Sequence, residues 1–439
     1  MQCVWRGGLV ACFIFLASHA LAQDAVLERA RALIQASQGA AAYRLLAPLE
    51  QQRAGEVEYD YLLGLAGLDA GQYTRAVFAL ERVLAMRPDH PQARAEIARA
   101  YFLMGENRAA RHEFEAVKRA GPPEAVALTI DQFLNALDAR ERSRGAGFSA
   151  FFEAGIGIDS NVNSASATSS FAIPLFPGLQ FNLAPSARKQ EDQFIALAGG
   201  AFGRYAMGNT WSLVSNVSFD RRMNAEHDEF DTGALNASVG VSRIDELDEL
   251  TVAAQGQRYS VDGEALRDAV GGVVQWRRNL TRRDQGTVYL QHARLDYPDQ
   301  PSRDADRTVI GGAWAHAYGG LNAAFAGIYG GREKPRGDNV PHFGHDLWGV
   351  RVGGQLGFGS RVILSTTASY ENREYGGPDP FFLEERHDKE FQLRLAAHYL
   401  VDRRWTAIAA ATLIDARSNI VVNDYERAIF ALSLRYDFR

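Results

Sequence analysis

Residues 425–439 read YERAIFALSLRYDFR, and this stretch decides the fold. Apolar side chains take every second position from Ala428 to Phe438, whereas Ser433, Arg435 and Asp437 lie between them. A period of two is that of a β-strand with one apolar face and one polar face. A soluble sandwich and a membrane-spanning barrel both produce such strands, so the choice between them depends on the rest of the chain.

Residues 147–439 alternate in the same way and predict a β-barrel. Short turns are predicted near residues 207–210, 245–248, 282–285, 318–320, 358–360 and 401–403, and longer polar loops near 164–192, 221–229, 261–266, 297–305, 332–345, 372–389 and 417–424. Short turns that alternate with long loops are typical of outer-membrane barrels. The strands between these connections number 14, and an even number brings both ends of the barrel to the periplasmic side.

Two further features favour a membrane barrel over a sandwich. Aromatic residues cluster near strand ends, as in an interfacial girdle: Trp211, Phe219, Tyr370, Tyr399, Trp405, Tyr436 and Phe438. The predicted inward faces carry polar and charged residues: Arg258, Gln275, Arg277, Arg351, Arg394, Arg435 and Asp437. A sandwich core would have to bury these charges, which is costly when they are unpaired, whereas a water-filled or plugged lumen accommodates them.

Residues 23–143 repeat with a period of 34 and predict an all-α tetratricopeptide-repeat domain. Small residues recur at one position and large apolar residues four positions later, in the pairs Ala42 and Leu46, Ala76 and Leu80, Ala110 and Phe114. We expect the small residue to let two helices approach closely and the large one to fill the remaining space on the same face. An ordinary helical bundle is the alternative. Repeats of this kind typically bind a peptide or a partner protein.

Residues 1–22 have the pattern of a secretory signal peptide, with cleavage expected before Gln23. An uncharged, mostly apolar run follows Arg6, and small residues precede the expected cleavage site. A lipoprotein signal at Cys12 is the alternative, but the apolar run before that cysteine is too short. Because Cys3 and Cys12 both lie in this segment, no disulfide is predicted in the mature protein.

Composition and motifs exclude several classes of function. The net charge is −6 and no basic stripe interleaved with aromatics occurs, so a nucleic-acid partner is not expected. No Walker loop, dinucleotide-binding glycine pattern, zinc-ligand spacing or Gly-x-Ser-x-Gly motif is present. We therefore predict no catalytic residue, no cofactor and no metal site, and no enzymatic activity. His342 and His345 lie near Asp346, but a solvated loop is the expected setting for this pair rather than a metal centre.

The first predicted strand ends in GIGIDSNVNSA at residues 155–165. A Gly-x-Asp-Ser-Asn-Val-Asn run that follows a tetratricopeptide domain and opens a 14-strand barrel resembles the surface lipoprotein assembly modifier (Slam) family. The residues that carry this motif are Gly157, Asp159, Ser160, Asn161 and Asn163. The resemblance implies an outer-membrane protein that assists export of lipoproteins or other client proteins to the cell surface. The repeat domain, in the periplasm, would receive the client, and the barrel, expected to be a monomer surrounded by outer-membrane lipid, would help it cross.

The motif also has a local interpretation. Asp, Ser and Asn side chains hydrogen-bond nearby backbone and form turns, so we expect residues 159–163 to shape the exit from the first strand. A cation site built from Asp159 and the asparagine carbonyls is the alternative. The resemblance assigns no catalytic or client-binding role to any residue here.

Two other functions compete with protein export. A polysaccharide-export pore and a solute porin with a periplasmic repeat domain are both compatible with this domain order. Because the chain carries no nucleotide-binding motif, energy for transport would have to come from client folding, from binding or from a partner.

Overall fold

A computed structural model describes residues 25–144, 147–166, 168, 170–175 and 180–438. The chain divides into two compact units, with the division after Ala139. The predicted signal peptide, residues 1–22, lies outside the described residues.

The first unit consists of helices joined by short turns. The helices are α1 (25–35), α2 (Gly39–Leu46), α3 (Glu50–Arg53), α4 (Val57–Asp69), α5 (Tyr73–Met86), α6 (Pro91–Met104), α7 (Asn107–Arg119) and α8 (Glu124–Arg144). A 3₁₀ turn, Ala47–Leu49, links α2 to α3. None of the helices in the described part of the chain is long and apolar enough to cross a membrane.

The residues spaced by 34 lie in the cores of this unit. Ala42, Leu46, Ala76, Leu80, Ala110 and Phe114 are all buried. Each pair packs with residues of a neighbouring helix: Leu46 with Leu63 of α4, Leu80 with Ile97 of α6, and Phe114 with Leu134 of α8. Each helix pair thus completes its apolar core with the next helix along the chain, as stacked repeats do.

The second unit is a closed antiparallel barrel of fourteen strands. Its elements in chain order are β1 (Gly147–Asp159), the small hairpin β2 (Ser170–Ala172) and β3 (Gln180–Asn182), β4 (Asp192–Ala206), β5 (Trp211–Asn224), β6 (Thr232–Ile244), β7 (Asp248–Val261), β8 (Glu264–Asn279), β9 (Asp284–Asp296), β10 (Ala305–Gly319), β11 (Asn322–Pro335), β12 (His345–Phe358), β13 (Val362–Pro378), β14 (Glu385–Leu400), β15 (Trp405–Ser418) and β16 (Tyr425–Phe438). Consecutive barrel strands pair, and β16 pairs with β1 to close the sheet. The predicted fold class, helical repeats followed by a 14-strand barrel, is confirmed.

The connections alternate in length around the barrel. Six short turns lie at one end, the short-turn end, where the sequence predicts them. The long-loop end carries six longer connections and one exception, because the loop predicted at 261–266 is a two-residue turn. Asp262 and Gly263 have φ values of 53° and 77°. Two consecutive positive φ angles form the tight hairpin turn that matches strand twist, so β7 and β8 continue up to it.

The outward-facing side chains form an apolar belt. Ile156, Val270, Ile328 and Leu432 each keep about three-fifths or more of their surface accessible, and they lie on different strands around the barrel. Water would penalise so much exposed apolar surface, whereas lipid tails do not. A closed barrel with such a belt is the outer-membrane architecture, and the predicted location of the barrel in that membrane follows from it.

The aromatic girdle lies mainly at the short-turn end. Trp211 and Trp405 begin their strands, and Tyr399, Tyr436 and Phe438 lie within two residues of a strand end there. The rings of Trp405 and Tyr436 are 4.7 Å apart. The other two predicted members of the girdle lie further along β5 and β13, towards the long-loop end.

The prediction that Arg258 faces the lumen is wrong. Arg258 shares the outward face of β7 with Leu250 and Val252, and it pairs there with Asp268 of β8 through two bonds of 2.8 Å. The pair lies next to the turn at 262–263, beyond the apolar belt. An outward charge at that height meets water rather than lipid, so the rule that charges face the lumen does not apply to it.

Candidate functional site

The family motif lies where β1 leaves the barrel wall at the long-loop end. Gly157 faces the lumen, and a Cβ atom there would collide with the ring of Phe194 on β4 and the carbonyl oxygen of Phe430 on β16. The ring of Phe194 in turn lies 4.0 Å from the guanidinium carbon of Arg222. Only glycine therefore allows this aromatic ring and its arginine to lie against β1.

Asp159 is the centre of the motif. Its side chain is fully buried and accepts hydrogen bonds from arginines on two strands that do not adjoin one another. Arg222 Nη1 of β5 lies 2.6 Å from Oδ2, and Arg427 of β16 contacts the same oxygen through Nη2 at 2.6 Å and Nε at 2.9 Å. The backbone N–H of Asn161 donates to Oδ1 at 2.9 Å. One carboxylate thus links β16, β1 and β5 at the mouth of the barrel.

Ser160 and Asn161 extend the pairing between the first and last strands. The Ser160 N–H donates to the carbonyl of Ala428 at 3.0 Å, and its hydroxyl accepts from the Ala428 N–H at 2.9 Å. The Asn161 side chain is buried and donates to the carbonyls of Glu426 and Ala165 at 3.0 and 2.8 Å. These bonds hold the seam, the β1–β16 pairing, beyond the last ladder residue.

Asn163 fixes the far end of the first loop. Its side chain donates to the carbonyl of Arg188 at 2.6 Å and accepts from the N–H of Gln190 at 3.3 Å. The structure therefore brings Gly157, Asp159, Ser160 and Asn161 together at the seam, while Asn163 clamps the loop onto itself. Two guanidinium groups already neutralise Asp159, which disfavours a cation there, and no cluster of three or more potential metal ligands occurs among the described residues.

The first loop then reaches across the long-loop end. Leu175 donates its N–H to the carbonyl of Phe381 at 3.2 Å, and the rings of Phe171 and Phe382 stack with centroids 6.1 Å apart. Phe381 and Phe382 belong to the loop between β13 and β14, three strands away around the barrel. The motif thus anchors a loop that contacts another loop at the same end of the barrel.

A second ionic cluster lies inside the barrel near the short-turn end. Arg204 of β4 reaches past Ser242 of β6 to Glu249 of β7, with Nη2 2.7 Å from Oε1, and Arg277 of β8 pairs with the same carboxylate. The Ser242 hydroxyl also donates to Glu249 at 2.7 Å. Sequence reasoning identified Arg277 but missed Arg204 and Glu249. Their signal was available, since both are charged residues at inward-facing positions close to a predicted short turn.

The middle of the lumen is polar. A cavity of about 710 Å³ is lined there by residues that include Gln255, Gln257, Tyr289, Arg351 and Glu371. Amide and hydroxyl groups on the wall suit a hydrated interior, as in water-filled barrels. The predicted inward position of Arg351 agrees with this placement.

Ion pairs tie the helices of the repeat unit together. Asp60 of α4 is fully buried and accepts from Arg82 of α5, with Nη2 at 2.7 Å and Nε at 3.0 Å. Arg82 also pairs with Glu50 of α3 at 3.0 Å. On α6, burial raises the pKa of the Glu96 carboxyl above its ordinary value, although Arg99 lies 2.9 Å away and opposes that shift.

The repeat unit also exposes large apolar side chains. Phe78 and Met86 of α5 and Leu103 and Met104 of α6 are solvent-accessible in this unit. Aromatic residues and methionine are enriched at protein-protein contacts, so these positions are candidates for contact with a partner.

Comparison with known proteins agrees with both units. Residues 67–129 match the tetratricopeptide repeat family. The chain is 23% identical over 414 residues to Surface lipoprotein assembly modifier 1 of Neisseria meningitidis serogroup B (strain ATCC BAA-335 / MC58), an alignment that covers 92% of this chain and 80% of that protein. It is 21% identical over 397 residues to Surface lipoprotein assembly modifier of Moraxella catarrhalis, covering 88% and 75%. The resemblance predicted from the motif and the domain order is thereby confirmed.

Two solved structures of different kinds each align with part of this chain. The outer membrane channel DcaP of Acinetobacter baumannii is 9% identical, with a TM-score of 0.41, and covers 67% of this chain and 98% of its own. The MamA RS-1 ArsTM double mutant is 23% identical, with a TM-score of 0.24, and covers 27% and 67%.

Proposed function

We propose that this chain assists the transfer of lipoproteins, or of other client proteins, across the outer membrane to the cell surface. The observation that carries the proposal is the extent of the similarity: relatives named surface lipoprotein assembly modifiers align over 92% and 88% of the chain. That span must include both the repeats and the barrel. These relatives are named as assembly modifiers and not as enzymes, so we propose an activity that makes or breaks no covalent bond.

The two units would divide the task. The even number of strands brings Gly147, where β1 begins, and Phe438, where β16 ends, to the short-turn end of the barrel. Short turns face the periplasm in outer-membrane barrels, so we propose a periplasmic position for the repeats that precede β1. The exposed side chains of Phe78 and Met86 are suited to hold an extended apolar segment of a client. The client would then pass outward through the polar lumen.

Deletion of the gene, followed by protease treatment of intact cells, tests this proposal. We expect at least one lipoprotein to lose surface exposure while its total amount is retained, and re-expression of the intact chain should restore the exposure. Unchanged exposure of every lipoprotein would contradict the proposal.

A second measurement separates export from passive diffusion of solutes. At the long-loop end the first loop contacts the loop at 379–384, and we propose that the two loops together obstruct the pore. We therefore expect purified protein in planar bilayers to show little steady conductance. A large, permanently open channel would instead favour a solute porin.

A further inference from the structure

A chamber that is partly open to solvent lies inside the barrel near its long-loop end. Its volume is about 610 Å³. Strand residues, among them Arg267 of β8 and Arg307 of β10, form its wall, and loop residues, among them Arg303 and Asn423, form its roof. Arg267 and Arg307 also line the cavity in the middle of the lumen, so the two spaces adjoin.

The chamber lining carries an excess of positive charge although the chain as a whole is acidic. Five of its lining residues are arginines and two are carboxylic acids, Glu333 and Asp379, whereas the net charge of the chain is −6. Two of the arginines have their own carboxylate partners. Arg373 pairs with Glu371 at 2.5 Å, and Arg386 pairs with Asp388 at 2.6 Å.

Of the other three arginines, two have no carboxylate partner within the described part of the chain, and the third has one long ion pair. Arg267 donates to the side-chain oxygen of Gln257 at 2.9 Å, and Arg303 donates to that of Gln300 at 3.0 Å. Both of these acceptors are neutral. Arg307 approaches Glu333 only at 4.0 Å. Three positive charges from two strands and one loop therefore line a single chamber.

Buried polar atoms in the chamber wall also lack partners. Among the described residues, Arg267 Nε and His345 Nδ1 are shielded from solvent and make no hydrogen bond. Such atoms are rare in folded proteins, because a buried polar group without a partner is costly. The Arg267 guanidinium and the His345 ring therefore have hydrogen-bonding capacity that the wall itself does not use.

We propose that this chamber binds a ligand with clustered oxyanion groups, either carboxylates or phosphates. The guanidinium group presents its N–H donors in a planar fork that matches both groups. The volume lies within the range of about 300–1,000 Å³ that is usual for small-ligand sites. A small phosphorylated molecule and an acidic peptide segment share this chemistry. The proposal does not depend on the chain being a protein exporter.

Calorimetric titration of the full chain in a neutral detergent tests the proposal. The probes are sodium tripolyphosphate, a tetraglutamate peptide and, as the oppositely charged control, a tetralysine peptide. We expect at least one of the two anions to bind and tetralysine not to bind. Binding should weaken as salt is raised from about 0.1 M to 1 M, since the screening length falls from about 10 Å to 3 Å.

Matched variants locate the site. Arg267→Gln combined with Arg307→Gln should weaken anion binding by about tenfold or more, which corresponds to about 1.4 kcal/mol. Arg303→Gln, on a loop, should weaken it by about threefold, as expected for a partly exposed charge. The control is Arg294→Gln on the outward face of β9, where the side chain is exposed and lies 3.5 Å from Asp296. Its affinity should equal that of the wild type.

Each outcome bears on the proposal. Binding of tripolyphosphate alone identifies phosphate as the ligand group, binding of tetraglutamate alone identifies an acidic peptide, and binding of both supports the shared chemistry. The proposal is overturned if neither anion binds, if tetralysine binds equally well, or if the chamber variants bind as tightly as the Arg294 variant. Heat-modifiable migration on gels reports barrel folding. If the double variant fails to fold, Arg303→Gln decides the outcome.

Discussion

The buried carboxylate of Asp159 gives the sharpest test of the seam described above. Asp159→Asn keeps the size of the side chain and the oxygen that accepts from the Asn161 N–H, but it removes the charge. The guanidinium groups of Arg222 and Arg427, with side chains 15% and 19% exposed, then lose their shared counter-ion. Removing one partner of a buried pair typically costs about 3–5 kcal/mol. Since both arginines retain some access to water, we expect a loss near the lower limit, about 3 kcal/mol.

The chain supplies a matched control for this substitution. Asp268 also pairs with an arginine through two bonds of 2.8 Å, but Arg258 is 62% exposed and Asp268 is 30% exposed. Asp268→Asn should therefore cost about 1 kcal/mol or less. The assay is reversible unfolding of the detergent-folded barrel in urea, followed by tryptophan fluorescence. If Asp159→Asn costs no more than Asp268→Asn, then burial of the two-arginine cluster does not stabilise the seam, and the reasoning is wrong.

Three further predictions concern packing, titration and turn geometry. Leu80→Ala should destabilise the repeat unit by about 2–5 kcal/mol in thermal melts followed by circular dichroism of the helices, because Leu80 is fully buried. Phe78→Ala, at an exposed position, is the control. Equal losses of stability in the two variants would argue against the placement of Leu80 in the core. Burial holds the pKa of Glu96 above its ordinary value of 4.5. The stabilising contribution of Glu96 to the free energy of unfolding is therefore fully present below pH 4.5, and it is lost as the pH rises through the raised pKa. Glu96→Gln should remove this part of the pH dependence of the helical melt, and identical profiles for the two proteins would contradict the assignment. Gly263→Ala should lower barrel stability by about 1 kcal/mol in urea unfolding, because φ there is 77°; an unchanged midpoint would mean that the turn relaxes at no cost.

Two differences between sequence and structure lie at the same place, next to the turn between β7 and β8. Arg258 was assigned to the lumen because charges on a membrane strand normally face water inside. Near the long-loop end, however, the outside of the wall is also in water, and there the polarity of a side chain no longer reports the face on which it lies. The loop predicted at 261–266 contains Asp262-Gly263, which is itself a strong hairpin signal, so this turn could have been recognised.

The pairing of residues within the ionic clusters could not be predicted from the sequence, for a different reason. Asp159 and Arg427 are 268 positions apart in the chain, and Arg204 and Glu249 are 45 apart. Which inward residues meet depends on strand register and on the way in which the closed sheet brings non-adjacent strands together. The alternation of side chains along a strand shows only that each of these residues faces the lumen.

The sequence alone determined the helical repeats, the fourteen strands, the apolar outer face and the resemblance carried by the motif. Each of these follows from local periodicity or from a short run of residues. Only the tertiary structure decided that Asp159 holds two arginines at the seam and that Arg267, Arg303 and Arg307 share one chamber. Those contacts join residues from separate strands and loops, and they arise only when the sheet closes.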